Sequence, residues 1–339
     1  MRHQDKTDPQ PTWKRGAVTL TFDTERIWGY LDRGGEARFE QRFPDAAAAG
    51  DRLLDALCAR GLSATWSVVG ALSLSECDGG GDARLAGLPP AWIRHVRAGD
   101  EHTAPLWYAR RFIERIRDAG VAQEIGLHGG LTHLCWSDPE TPPSTARREL
   151  EEGIRALEEI SVTPTSFTFP RNFEAHHHLL REYGIRCYRG LGPSPEETLR
   201  RTTAGSAVRW LYELGRATPP AVLPAEKIPG LWNVPSSMFL YRMSESRGRL
   251  APLAGRVARV RQGIREAARH KRLFHLWLHP ENLAESARAF PVFEAILDEI
   301  AAARAAGDID VLTMTGAAER SAAERLSPAR MSPVPAFSR

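Results

Sequence analysis

The sequence predicts an α/β protein, a distorted (β/α) barrel of about seven parallel strands. Three observations carry that prediction. Short β-rich runs alternate with amphipathic helical runs along most of the 339 residues. No internal repeat interrupts the alternation. Finally, four of the strand runs end in acids, histidines or an arginine, which is where a barrel of this kind exposes its reactive side chains.

The elements follow in order. Ala17 to Asp23 (AVTLTFD) is a β-rich run, followed by a helix from about Asp45 to Arg60 with Leu53, Leu54 and Leu57 on one side and Gly61 as its stop. Ser63 to Val69 is the second strand. Residues 74–105 contain a Gly-rich turn and a Pro-Pro pair, and read as an insertion. A helix near Tyr108 to Ala119 leads into the strand Glu124 to Leu127. Helix Ser144 to Glu159 precedes strand Ser166 to Phe169, and helix Glu174 to Tyr183 precedes strand Ile185 to Tyr188. A second insertion near 190–230 holds one helical piece, Ala207 to Leu214. Strands at Leu231 to Val234 and Leu273 to Leu278 flank a basic helix, Leu253 to Arg269. Helix Pro291 to Ala306, strand Ile309 to Leu312 and a short helix close the series. The expected organisation is a mobile segment 1–16, one barrel over 17–325 and a disordered tail 326–339.

Hydrophobic content of 42% and charged content of 26% suit a soluble folded chain and exclude disorder as the main state. A net charge of +3 is too small for a general nucleic-acid coat, so no nucleic-acid partner is expected. No stretch approaches about 18 uninterrupted apolar residues, and the first residues lack an apolar signal core, so a cytoplasmic location is expected. Cys58, Cys77, Cys135 and Cys187 are widely spaced and form neither a disulfide framework nor a zinc ribbon.

The strand ends carry the chemistry. The first closes on Thr21-Phe22-Asp23-Thr24-Glu25, the third on His128 and, after two glycines, His133. The fourth closes on Phe169-Pro170-Arg171-Asn172, and a late one on Leu278-His279-Pro280. Each has a bland alternative: a helix cap, a solvated loop or an ion pair. Together, two carboxylates, three histidines and an arginine make the kit of metal-assisted hydrolysis.

In the order TFDTE (21–25), EIGLHGGLTH (124–133), FTFPRN (167–172) and LWLHP (276–280), these segments resemble the polysaccharide deacetylase (NodB-homology) family of carbohydrate esterases. The resemblance covers about Val18 to Leu312. It implies a divalent metal, usually zinc, held by one carboxylate and two histidines, and removal of an acyl group from an amide or ester on a sugar. Two features depart from the family pattern. Thr24 stands where a second aspartate is common, so Asp23 is assigned as base and Glu25 as metal ligand, and spacing alone leaves the reverse open. Four residues rather than three separate His128 from His133, an excess that Gly129-Gly130 can absorb. With Glu25, His128 and His133 on the metal, Arg171 is expected beside Asp23 and His279 beside the leaving amine. Imidazole and carboxylate accept Zn2+, Co2+, Ni2+ or Fe2+.

The expected substrate is an acylated amino sugar in a glycan precursor or glycosylated metabolite. The alternatives are deformylation or deacylation of a non-sugar amide, and a catalytically degenerate carbohydrate-binding barrel. Trp28, Tyr30, Trp136 and Asn172 lie just beyond the motifs and are expected to touch substrate. His176-His177-His178 cannot converge on one ion if helical, because successive residues point apart. Residues 242–272 hold ten basic and two acidic residues. There Arg261, Arg265, Arg269 and Arg272 form either a solvated helix face or a weak docking surface for an anionic phosphate or membrane headgroup.

Overall fold

In the computed structural model the described residues are 13–31, 35–139, 141–193, 218–240 and 253–325. The helical piece 207–214, the basic residues of 242–252, and segments 1–12 and 326–339 lie outside them.

The central strand β1 (Gly16–Thr24) is buried along its whole length: Val18, Leu20 and Phe22 alternate with Thr19, Thr21 and Asp23, and both faces are covered, as in a parallel sheet. On one side follow β2 (Thr65–Val68), β5 (Glu124–His128), β6 (Ser166–Thr168), β7 (Cys187–Arg189), β9 (Leu231–Asn233) and β8 (Ala225–Ile228). On the other lie β11 (Leu273–Leu278) and β10 (Met238–Phe239), and β12 (Ile309–Val311) pairs with the start of β1. All the ladders of this ten-stranded sheet are parallel except β8 with β9. All eight strand runs read from the sequence belong to it, one more than the roughly seven expected. Strands β8 and β10 have only four and two residues, too short to give a periodicity signal.

Helices α1 (Gly35–Arg42) and α2 (Ala46–Ala59) connect β1 to β2. The insertion at 74–105 forms β3 (Cys77–Asp78) and β4 (Ala98–Gly99), an antiparallel pair, with α3 (Pro90–Ile93) between them; α4 (Arg110–Arg117) then leads to β5. Helices α5 (Pro143–Glu158) and α6 (His177–Glu182) follow β5 and β6, α7 (Leu253–His270) precedes β11, and α8 (Ala289–Ala305) and α9 (Met314–Arg325) flank β12. Phe22 joins the layers, with its ring 4.8 Å from Trp66 and 6.3 Å from Phe293 of α8.

Within the segment expected to be mobile, Trp13 is instead buried. Its backbone N–H donates to the Lys271 carbonyl and its indole N–H to Ser321 Oγ at 3.2 Å. The large aromatic surface anchors the start of β1. The four cysteines are free thiols. No helix among the described residues is long and apolar enough to cross a membrane.

Candidate metal centre

Parallel register alone assembles much of the site. His128 is level with Thr168, and Thr168 with Arg189, so β5, β6 and β7 end in one row. Asp23 is level with Ser67, and Phe22 with Leu278, the residue before His279. Glu25 follows the last residue of β1, where Arg26 adopts a left-handed φ of 43° and starts a 3-10 turn, Arg26–Tyr30. His133 returns to the same point through Gly129, whose φ of 79° suits glycine and takes up the extra residue in the His-to-His spacing. Glu149 of α5 fixes the return: its Oε2 accepts from the Thr132 backbone N–H and hydroxyl, at 3.0 and 2.9 Å.

Three donor atoms converge there. Glu25 Oε2 lies 3.0 Å from His128 Nε2 and 2.9 Å from His133 Nε2, and the two imidazole nitrogens are 3.1 Å apart. All three residues are buried. His128 Nδ1 must carry a proton, because its 3.1 Å partner is the Thr168 carbonyl. In the neutral ring Nε2 is therefore a bare lone pair facing a carboxylate and a second imidazole. A dry cluster of electron-rich atoms calls for a cation among them. The observed spacings are close to the edge of roughly 3.3 Å expected for a tetrahedron with bonds of about 2.0 Å, and His/carboxylate donors suit zinc. The residues fit a divalent metal. Burial also pushes the His133 pKa down to about 4, which keeps its ring in the neutral, ligating form.

Beside this cluster, Arg189 holds Asp23 through two parallel bonds, Nη1 to Oδ1 and Nη2 to Oδ2, each 2.6 Å. Burial alone pushes the Asp23 carboxyl up; the guanidinium, with His128 and His279, outweighs it and leaves the pKa below the ordinary carboxylate value. Arg189 in turn stacks 4.1 Å over Trp277 and donates to Thr21 Oγ1 at 3.1 Å. The Thr21 hydroxyl then faces His275 Nε2 at 3.0 Å, while His275 Nδ1 donates to the Pro235 carbonyl. His279 Nε2 stands 3.4 Å from Glu25 Oε1 and 3.9 Å from Asp23 Oδ2, partly exposed at the rim.

Asp23, Glu25, His128, His133, Arg171 and His279 thus meet around one small pocket of about 40 Å3, with Glu25 rather than Asp23 within 3.0 Å of both imidazoles. Arg171 does not reach Asp23 as expected. Its φ of 59° turns the side chain so that Nη2 donates to the Gly29 carbonyl at 3.1 Å, and Arg189 takes the expected place. The strand-end rule does point to Arg189, since it closes the run that begins at Ile185.

Three of the expected substrate contacts are core residues. Trp28 is fully buried and donates its indole N–H to the Trp107 carbonyl; Tyr30 packs against Phe39 and Phe43; Trp136 packs against Phe167 and Phe169. Each buries its ring because the loops after the strands fold back onto the barrel. Asn172 does line the pocket, and it also borders an adjoining groove of about 580 Å3 with Cys135, Asp138, Phe173 and Leu191. Of the histidine run, His177 pairs with Glu174 at 3.0 Å. On α7, Arg261 is engaged by Glu299 of α8, while Arg265 and Arg269 face solvent; Arg272, just past the helix, is half-buried.

No family model and no curated protein matches the sequence. Solved structures do match. One from Mycobacterium smegmatis assigned as a polysaccharide deacetylase is 22% identical over 95% of this chain and 94% of its own, with a TM-score of 0.58. Another with that assignment, from Pseudomonas aeruginosa PAO1, is 12% identical over 90% of each chain, with a TM-score of 0.52. The fold is that of the polysaccharide deacetylases. A 4-alpha-glucanotransferase from Thermococcus litoralis shares it at 11% identity and a TM-score of 0.52, over 89% of this chain and 40% of its own. The deacetylase fold therefore supplies the frame, and the reaction has to be argued from the residues in it.

Proposed function

We propose that this chain is a metal-dependent amide hydrolase that removes the acetyl group from an acetylated amino sugar. The reading rests on Glu25, His128 and His133, whose donor atoms lie 2.9 to 3.1 Å apart beside a carboxylate locked by an arginine. The polysaccharide deacetylase fold agrees with it.

A divalent cation held by those three residues supplies Lewis acidity, lowering the pKa of water from 15.7 toward about 7 and polarising the amide carbonyl. Zinc suits the donor set, and cobalt, nickel and iron(II) share its preferences. The chain's own groups do the rest. Asp23, kept ionised and oriented by Arg189, accepts the proton of the attacking water. His279 delivers a proton to the leaving nitrogen, which departs as a neutral amine rather than an anion. Its ring is braced edge-on by Phe239 and Trp277. The 40 Å3 pocket is of the size that takes an ion or a single water, and the 580 Å3 groove beside Asn172 is of the size that takes a sugar.

The test is elemental analysis of the purified protein and of its His128→Ala/His133→Ala variant, followed by acetate release from acetylated amino sugars. About one divalent ion per chain, lost in the variant, is expected, with hydrolysis abolished by Asp23→Asn and by His279→Ala. Failure to bind zinc or cobalt would remove the hydrolase reading and leave a carbohydrate-binding barrel to test.

A further inference from the structure

Glu25 reaches the imidazoles by folding back across the turn that follows it, and Gly29, four residues on, lies directly beneath its carboxylate. A Cβ built on Gly29 would stand 2.0 Å from Glu25 Oε1, 2.1 Å from its Cδ and 2.7 Å from Oε2. These are the three nearest atoms, and all belong to one carboxylate. Gly29 is not held at a positive φ, and it sits inside a 3-10 turn where alanine is an acceptable residue.

We propose that Gly29 is a positioning residue for the metal: its missing side chain is the notch that lets a glutamate, rather than an aspartate, serve as the carboxylate ligand. The proposal rests on the reading of Glu25 as a ligand. A carboxylate is the free end of a flexible side chain, so a methyl group at position 29 displaces it at little cost to the fold. The displacement is about 1 Å, from 2.0 Å to the shortest contact a Cβ makes, and well beyond the roughly 0.5 Å within which such a site works. Glu25 would then leave a cluster in which its Oε2 is 2.9 Å from His133 Nε2. The Gly29 carbonyl also accepts the Arg171 guanidinium, which ties the turn to the loop after β6.

The experiment is a double-mutant cycle read as the zinc dissociation constant, measured by competition with a chromophoric chelator on the full chain. Gly29→Ala is expected to fold with an unchanged circular dichroism spectrum and to weaken zinc binding by about 10- to 100-fold. Glu25→Ala is expected to weaken it at least as much, and adding Gly29→Ala to that variant should cause no further loss, because the notch then has nothing to hold. Wild-type zinc affinity in Gly29→Ala would overturn the proposal, and so would an equal loss in both backgrounds. If Gly29→Ala fails to fold, rescue by Glu25→Ala supports the clash, and failure of both overturns it. Undiminished zinc binding in Glu25→Ala would instead mean that Glu25 is no ligand.

Discussion

At the scale of single side chains, Arg189 and Arg171 exchange the parts the sequence suggests for them. Arg189 makes a bidentate, fully buried pair with Asp23, whereas Arg171 is half-buried on a backbone carbonyl. Removing one partner of a buried ion pair typically costs about 3–5 kcal/mol, because the other charge is left dry and unpaired. Arg189→Met should therefore lower the thermal unfolding midpoint sharply and reduce acetate release by about 10²- to 10⁴-fold, the usual contribution of an oriented base. Arg171→Met should lower the midpoint less than Arg189→Met, because Arg171 is half-buried and its bond to the Gly29 carbonyl leaves no buried charge behind when broken. Equal effects of the two variants on unfolding would contradict the exchange. Asp23, Glu25, His128 and His279 are legible in the sequence because they close strand runs, a position set by backbone direction alone, whereas His133 lies in the loop beyond β5. The aromatic ones are not: nearness to a motif says nothing of which way a ring turns, and Trp28 turns inward.

At the scale of elements, α5 and the loop 129–133 act together through Glu149. Burial, with the charge of Glu152 nearby, raises the Glu149 pKa from 4.5 to about 7, against the lowering effect of the Thr132 hydrogen bonds. A pKa raised in the folded state gives stability that is fully present below about pH 4.5 and is lost as pH rises to 7, some 3 kcal/mol in all. Glu149→Gln keeps an acceptor for Thr132 without a charge to bury. Its unfolding midpoint should exceed wild type at pH 8, and the gain should vanish near pH 4.5; a gain independent of pH would exclude titration of Glu149 as the cause. Helices such as α2, α5 and α8 are legible because their apolar spacing repeats over 14 to 17 residues. Helix α6 begins at His177 rather than Glu174, because His176 takes a left-handed φ of 52° that no helical propensity foretells. Strands β8 and β10 owe their place to tertiary pairing, which local pattern does not encode.

At the scale of the whole molecule, the proposed metal donors come from three separate places in the chain: the end of β1, the end of β5 and the loop that returns toward α5. Without a metal, the electron-rich atoms gathered in this dry site are relieved only by a proton on His128, whose pKa, against the lowering effect of burial, Asp23 and Glu25 raise. An ion that binds only the folded arrangement must therefore stabilise the fold by mass action, by about 2.7 kcal/mol when free metal is 100 times its dissociation constant. Chelator-treated protein should unfold at a lower temperature than protein supplied with zinc, and the midpoint should climb with zinc concentration. His128→Ala/His133→Ala should lose that dependence. His279→Ala should keep it while losing hydrolysis, since His279 stands 3.4 Å from Glu25 Oε1 at the rim and lies outside the converging set. Scanning calorimetry across a zinc series on these three proteins separates the two jobs the histidines do. A zinc dependence lost in His279→Ala would place that ring on the metal and remove it as the donor to the leaving amine.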